Sequence, residues 1–167
     1  MRGTCTLALA LLGCGYALVR PDNGGPVPAL SLGQVRDLTV EGDLGQRLVA
    51  GVGHRLAGRA RPRIANEPGV PVLQGALTSS PERTVAYDIY GAAFELALVG
   101  RLELVPDGAP AGPPLWSSGD VTARTLYARG PNATATEGNR RVALLALVDE
   151  LSDRLAEHFL ESPELPK

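Results

Sequence analysis

Aromatic side chains are scarce: one Trp, four Tyr and two Phe make up 4% of the 167 residues. A core must therefore be assembled from Leu, Val and Ala. Cysteine is confined to Cys5 and Cys14, both in the first fourteen residues. A body without cysteine excludes a disulfide framework, a thiolate nucleophile and a cysteine metal site. Of 16 basic residues only Lys167 is a lysine. Heavy Ala, Gly and Pro usage accompanies this bias, which reads as GC-rich coding more than selection for the anion-binding guanidinium fork. Histidine is limited to His54 and His158, each on a predicted helix without a metal partner at i+3 or i+4. The net charge of −2 lacks the concentrated positive charge of a nucleic-acid-binding domain. Neither a Gly-x-Ser-x-Gly elbow nor a Walker loop occurs. The stretch 51–58 has glycines at the wrong spacing for a dinucleotide loop. Asp149, Glu150 and Asp153 read as a solvated helix face. The expectation is a non-enzymatic chain with no catalytic residue, metal or cofactor.

What is present begins at the N-terminus. Arg2 is followed by the apolar run Leu7-Ala8-Leu9-Ala10-Leu11-Leu12 and then Gly13-Cys14. A positive charge, an apolar run and a small residue before the cut give the order of a secretory leader. The run is too short to cross a bilayer, which takes about 20 apolar residues. Leu11-Leu12-Gly13-Cys14 resembles the bacterial lipobox. That resemblance implies cleavage between Gly13 and Cys14, diacylglycerol on the Cys14 sulfur and acylation of the new amine. Each buried methylene contributes about 0.8 kcal/mol, so several chains anchor stably. Gly15, where an inner-membrane retention signal would show Asp, directs the expectation to the outer membrane.

The expected organisation is a signal peptide at 1–13, a lipidated Pro/Gly-rich tether at 14–34, one domain at 35–161 and a tail at 162–167. Pro21, Gly24, Gly25, Pro26 and Pro28 give the tether its extended character. Val35–Val40 reads as a strand. Leu44, Leu48, Val52 and Leu56 recur every four residues on one helical face, although Gly51 and Gly53 weaken that helix by up to about 1 kcal/mol each. Val70–Ser79, Thr84–Ile89 and Ala93–Val105 read as strands, with a turn at Ser80-Pro81-Glu82. Phe94, Leu96, Leu98, Gly100, Leu102 and Leu104 alternate with Glu95, Ala97, Val99, Arg101, Glu103 and Val105, the period of a strand with one apolar face. After a loop over 106–114, one further strand is expected from Leu115-Trp116 through Val121, Ala123, Thr125 and Tyr127. The last helix is expected to open on a capping box, Thr134 to Glu137. Val142, Leu145, Val148, Leu151, Leu155 and Phe159 should form its apolar face, and Pro163 should stop it. Together these predict an α+β fold, a small, mostly antiparallel or mixed four-stranded sheet with two helices on one face.

Several segments, in order, resemble the lipopolysaccharide-assembly lipoprotein family, LptE. They are Cys14-Gly15-Tyr16, Leu73-Gln74-Gly75-Ala76-Leu77, Val85-Ala86-Tyr87-Asp88, Glu95-Leu96-Ala97-Leu98, Leu115-Trp116 and 136–145, which opens Thr136-Glu137-Gly138-Asn139-Arg140-Arg141. The resemblance implies an outer-membrane lipoprotein that plugs the large LptD β-barrel and helps it insert lipopolysaccharide into the outer leaflet. Its partners would be that barrel, the membrane and, by direct contact, lipopolysaccharide. Arg83, Arg124 and Arg129 are candidate lipopolysaccharide contacts as basic groups near strand ends. The alternative is a lipid-anchored periplasmic regulator of a cell-wall synthase, which would share the anchor, the tether and a small α/β domain.

Overall fold

The computed structural model describes residues 29–57, 62–79, 81–88, 91–108 and 112–162. Gly13, Cys14 and the tether up to residue 28 lie outside them, as do Ser80 and Pro163. The order is β1 (Ser31–Asp37), α1 (Leu44–Ala57), β2 (Val72–Ser79), β3 (Arg83–Asp88), β4 (Gly91–Val105), β5 (Trp116–Ser117), β6 (Val121–Ala128) and α2 (Ala133–Glu161). Two helices pack on one mixed sheet, the expected α+β class.

The sheet contains six strands, yet it is only four columns wide. The fifteen-residue β4 is its spine. β2 pairs with residues 98–105 of β4 and β3 with residues 91–95. β6 pairs with residues 93–100 and β5 with residues 103–104. Since β2 and β6 both engage residues 98–100, they must flank β4 on opposite sides. The columns are therefore β1, then β2 with β3 end to end, then β4, then β5 with β6 end to end. β1 closes the first edge in parallel with β2, reached through the α1 crossover.

Each doubled column marks a departure from the sequence expectation. Ser80-Pro81-Glu82 is not a reversal: Ser79 pairs with Leu98 and Arg83 with Glu95, so the chain continues along β4 with one extra residue. Proline cannot donate to a ladder, and this break is where one is tolerated. The strand from Leu115 is likewise interrupted. Ser118 and Gly119 bulge, with Gly119 at φ 62, and the Ser118 hydroxyl accepts from the Leu102 amide at 2.9 Å. β1 begins at Ser31, four residues before the expected Val35 and inside the stretch assigned to the tether. Leu30 is buried just before it, and its amide donates to the Arg63 carbonyl at 2.9 Å. Leu38 and Val40, expected in that strand, stand exposed beyond it.

The α1 stripe is as expected: Leu44, Leu48, Val52 and Leu56 are all buried. In α2 the buried face is Leu144, Leu147, Val148, Leu151, Leu155 and Phe159. Val142, expected on that face, is 69% exposed. The capping box at Thr134 does not form. Asn132 is the N-cap, its side chain accepting from the Ala135 amide at 2.8 Å, so the helix starts before Thr134. The helices cross closely at Gly51, where a Cβ would lie 2.5 Å from the Ser152 Oγ. Gly51 thus weakens α1 locally while letting α1 approach α2. On the helix-facing side of the sheet, Phe159 meets Trp116 edge to face at 4.9 Å.

α1 lacks an acidic residue in its first turn. Asp37, at the end of β1, supplies the missing carboxylate. It accepts from the Gly45 amide at 2.8 Å and from the Thr39 amide at 2.9 Å and hydroxyl at 2.6 Å. Burial alone would raise its pKa, but these hydrogen bonds together hold it below the ordinary value of 3.8. A depressed carboxylate stabilises the fold above the unfolded-state value, and that contribution disappears as pH falls through the lower folded-state value. Asp37→Asn is therefore expected to lower the melting temperature at pH 7. The gap from the parent should narrow as pH drops below 3.8. Thermal melts at both ends of that range check this; a gap independent of pH would contradict it.

Candidate functional site

Both helices cover the sheet face that carries Leu96, Leu98, Gly100, Leu102 and Leu104. Alternation sends Glu95, Ala97, Val99, Arg101 and Glu103 to the other face, which no element among the described residues covers. Register then sets the neighbours across the columns. One row is Gln74 and Glu103, the next Ala76 and Arg101 with Arg36 on β1. Thr78, Val99 and Thr122 form the following row, then Ala97 and Arg124, then Arg83, Glu95 and Leu126.

Two hollows indent this face. The first, about 390 Å³, lies over Ala76 and is walled by Gln34, Arg36, Gln74, Arg101 and Glu103. The second, about 290 Å³, lies over Ala97 and is walled by Pro81, Arg83, Glu95 and Arg124. Each has an alanine floor and two arginines. In each, one arginine is tied to a carboxylate: Arg101 to Asp120 at 2.8 Å and Arg83 to Glu95 at 2.8 Å. Among the described residues, Arg36 and Arg124 make no ion pair. Two of the three candidates from sequence, Arg83 and Arg124, are thus brought to one hollow. Arg129 is not: it follows β6, exposed, with its amide donating to the Ala92 carbonyl at 2.8 Å. Arg36 and Arg101 were missed. The β4 alternation already placed Arg101 on the polar face, but only the pairing of Arg36 with Ala76 shows that the two share a hollow.

A second charged cluster lies at one end of the sheet. Arg140 of α2 meets Glu41 at 2.7 Å, Glu137 at 3.2 Å and Glu82 at 3.5 Å. Tyr127 donates its hydroxyl to Glu82. Arg141 reaches Glu41 at 3.4 Å and Asp43 at 2.8 Å. This network ties the β1–α1 loop, the Pro81 break and β6 to the start of α2.

The acidic face of α2 is solvated, as expected, and Asp149 and Asp153 on it also clasp α1. Arg47 meets Asp149 at 3.3 Å, Arg55 pairs with Asp153, and an Arg55 Nη donates to the Asp149 carbonyl at 3.0 Å. His54 and His158 are exposed. Among the described residues no group of three or more metal-type side chains converges, and no helix is long and apolar enough to cross a membrane.

The sandwich with one bare sheet face matches solved structures. The fold is shared with bacterial lipoproteins. Rare lipoprotein B from Shewanella oneidensis superposes with a TM-score of 0.53 at 21% identity, covering 79% of this chain and 93% of that one. The minor lipoprotein from Acinetobacter baumannii gives 0.53 at 14% identity, over 77% and 87%. A Caulobacter crescentus protein described as a lipoprotein gives 0.50 at 16% identity, over 80% and 93%. At these identities the likeness is one of fold. No family model and no curated protein matches the chain in sequence.

Proposed function

We propose that this chain is a non-catalytic outer-membrane lipoprotein of the LptE type, anchored through lipid on Cys14. In this reading it plugs and supports an LptD-like β-barrel during lipopolysaccharide insertion. The observation that carries the reading is the two-helix sandwich with a bare sheet face, a fold it has in common with bacterial lipoproteins, joined to the Gly13-Cys14 leader. A barrel of more than twenty strands leaves a lumen large enough to need a plug. Lipid anchoring raises the effective concentration of a small rigid wedge for a partner in the same membrane. The hollow between Arg83 and Arg124 is the candidate contact for anionic groups of lipopolysaccharide, since guanidinium forks suit phosphate; Arg129 stands apart from it.

Two measurements test this. Metabolic labelling with palmitate should mark the parent chain and leave Cys14→Ser unlabelled; label surviving that substitution removes the anchor. Affinity purification of the full chain from detergent-solubilised membranes should recover a large β-barrel. Recovery of a penicillin-binding protein instead would favour the cell-wall-synthase regulator.

A further inference from the structure

We propose that the outer edge of β6 pairs with the same edge of a second copy of this chain, about a twofold axis through Thr125. β6 has β4 on one side and, among the described residues, no strand on the other. In an antiparallel ladder a residue turns its amide and its carbonyl to the same side, and that side alternates along the strand. The Arg129 amide donates inward, to the Ala92 carbonyl, at 2.8 Å. The carbonyls of Thr122 and Ala128 turn outward: Arg154 Nη1 donates to the first at 2.7 Å and Asn139 Nδ2 to the second at 3.0 Å. Arg124 and Leu126 share that outward parity, so each presents an amide and a carbonyl at the edge. None of these groups finds a partner among the described residues. Open donors and acceptors in a row are a template for another strand.

The length of this opening selects its occupant. A long strand from another protein would run into Arg154 and Asn139, the side chains of α2 that close the two ends. A second copy brings an opening of equal length with its stops at matching ends. The twofold axis sets Arg124 against Leu126 of the second copy, and Leu126 against its Arg124, each as a hydrogen-bonded pair. Charge agrees with this register. Arg124 never faces its own counterpart. It lies over Leu126 of the second copy, a side chain 59% exposed in the single chain, and beyond that leucine on β4 stands Glu95. The helix above agrees as well. Asn139, Ala143, Ala146, Glu150 and Arg154 recur at three- and four-residue steps, so they share the side of α2 that looks over the edge. Midway between the two stops that side carries only the alanines, which leaves room for the second α2.

Sedimentation of the full chain in mild detergent should show a reversible dimer through the micromolar range. Leu126→Lys sets a lysine against Arg124 twice in each dimer and should weaken it about tenfold. Both side chains are exposed, so the variant keeps its fold. Adding Arg124→Glu to Leu126→Lys turns both repulsions into attractions and should restore the dimer, a recovery that an effect on folding would not give. Register is tested by cross-linking. The full chain with Cys5→Ser and Cys14→Ser carries no thiol, so an introduced cysteine reports on the pairing alone. Thr125 meets its counterpart as a non-hydrogen-bonded pair, with about 4.5 Å between Cα atoms, which a disulfide spans. Thr122 and its counterpart stand about 20 Å apart along the strands, far outside that reach. Thr125→Cys should therefore oxidise to a covalent dimer and Thr122→Cys should not. A monomeric parent, equal cross-linking at the two positions, or a Leu126→Lys dimer as tight as the parent's overturns the proposal. A monomeric parent whose Leu126→Lys variant no longer recovers a barrel would assign the edge to the barrel and overturn it too. Sedimentation and cross-linking need no barrel, so this proposal and the translocon reading fail separately.

Discussion

Gly75→Ala is expected to destabilise the fold severely. A Cβ at this position would sit 2.0 Å from the carbonyl oxygen of Arg101 and 2.9 Å from a methyl of Leu102. The first atom is backbone, so no rotamer change relieves the overlap. β2 cannot slide away either, because it is held by β1 on one side and β4 on the other. The sheet must part locally, which breaks ladder hydrogen bonds and opens the packing beneath Leu73 and Leu77. We expect a loss of about 3 kcal/mol or more, the range of severe overpacking in a core. Against a total stability of about 5–15 kcal/mol this consumes much of the margin. Urea titration followed by circular dichroism measures it. A midpoint within error of the parent would show that β2 and β4 are less tightly joined than this geometry requires. The same contact gives a physical reason for the Leu-x-Gly pattern in the sequence: the glycine is where two strands press together.

The second large effect is expected at Arg140. Its side chain is 20% exposed and that of Glu41 is 14% exposed, so solvent screens this pair only partly. Burial works against the charge on Arg140, but the hydrogen bond and charge of Glu41, followed by Glu137, outweigh it and raise its pKa above the ordinary value. Arg140→Met keeps the aliphatic stem and deletes the charge, so Glu82 loses its counterion and Glu41 keeps only Arg141 at 3.4 Å. Removing one partner of a fully buried pair costs about 3–5 kcal/mol. With the screening here we expect about 2–3 kcal/mol, and a narrower gap at high salt. The double variant Arg140→Met, Glu41→Gln should recover part of the loss, because the carboxylate that lost its nearer partner goes with the cation. If the two losses simply added, Arg140 would be acting through packing and not through charge. The network also joins two segments the sheet leaves loose, the loop after β1 and the Pro81 break, so hydrogen exchange there should accelerate in the single variant.

Elements governed by local periodicity were legible in the sequence. The four-residue repeat of leucine and valine in α1 and the strict alternation of β4 each put their apolar side where the core is. The second helix shows where this stops. Val148, Leu151, Leu155 and Phe159 of its expected face are buried, but in the apolar run Leu144-Leu145-Ala146-Leu147-Val148 the core positions fall to Leu144 and Leu147, while Val142 stands exposed. Contact with α1 at Gly51 and Ser152 and with the sheet decides which residues of that run face inward. At its start, Asn132 and Thr134 both qualify as caps by residue type; Asn132 takes the role, while the Thr136 hydroxyl accepts from the Gly130 amide at 2.9 Å and secures the entry. The turn anticipated at Pro81 failed for a related reason. Proline marks a break in a ladder, but whether the chain then reverses or continues depends on what β4 offers opposite it.

The candidate site divides the same way. Arg83 and Arg124 were visible as charges near predicted strand ends, although Arg124 in fact lies in the middle of β6, and Arg101 as a charge on the polar side of β4. That Arg83 and Arg124 share one hollow, that Arg36 joins Arg101 over Ala76, and that Arg129 joins neither are facts of register. A side chain's face follows from its own neighbours along the chain, through the period of a helix or strand, so the sequence by itself determined the fold class and the two faces of the sheet. Which side chains meet across strands depends on pairings between segments tens of residues apart, with bulges at Pro81 and Gly119 shifting the count by one. Only the tertiary structure could decide those, because a shift of a single residue exchanges one face of a strand for the other.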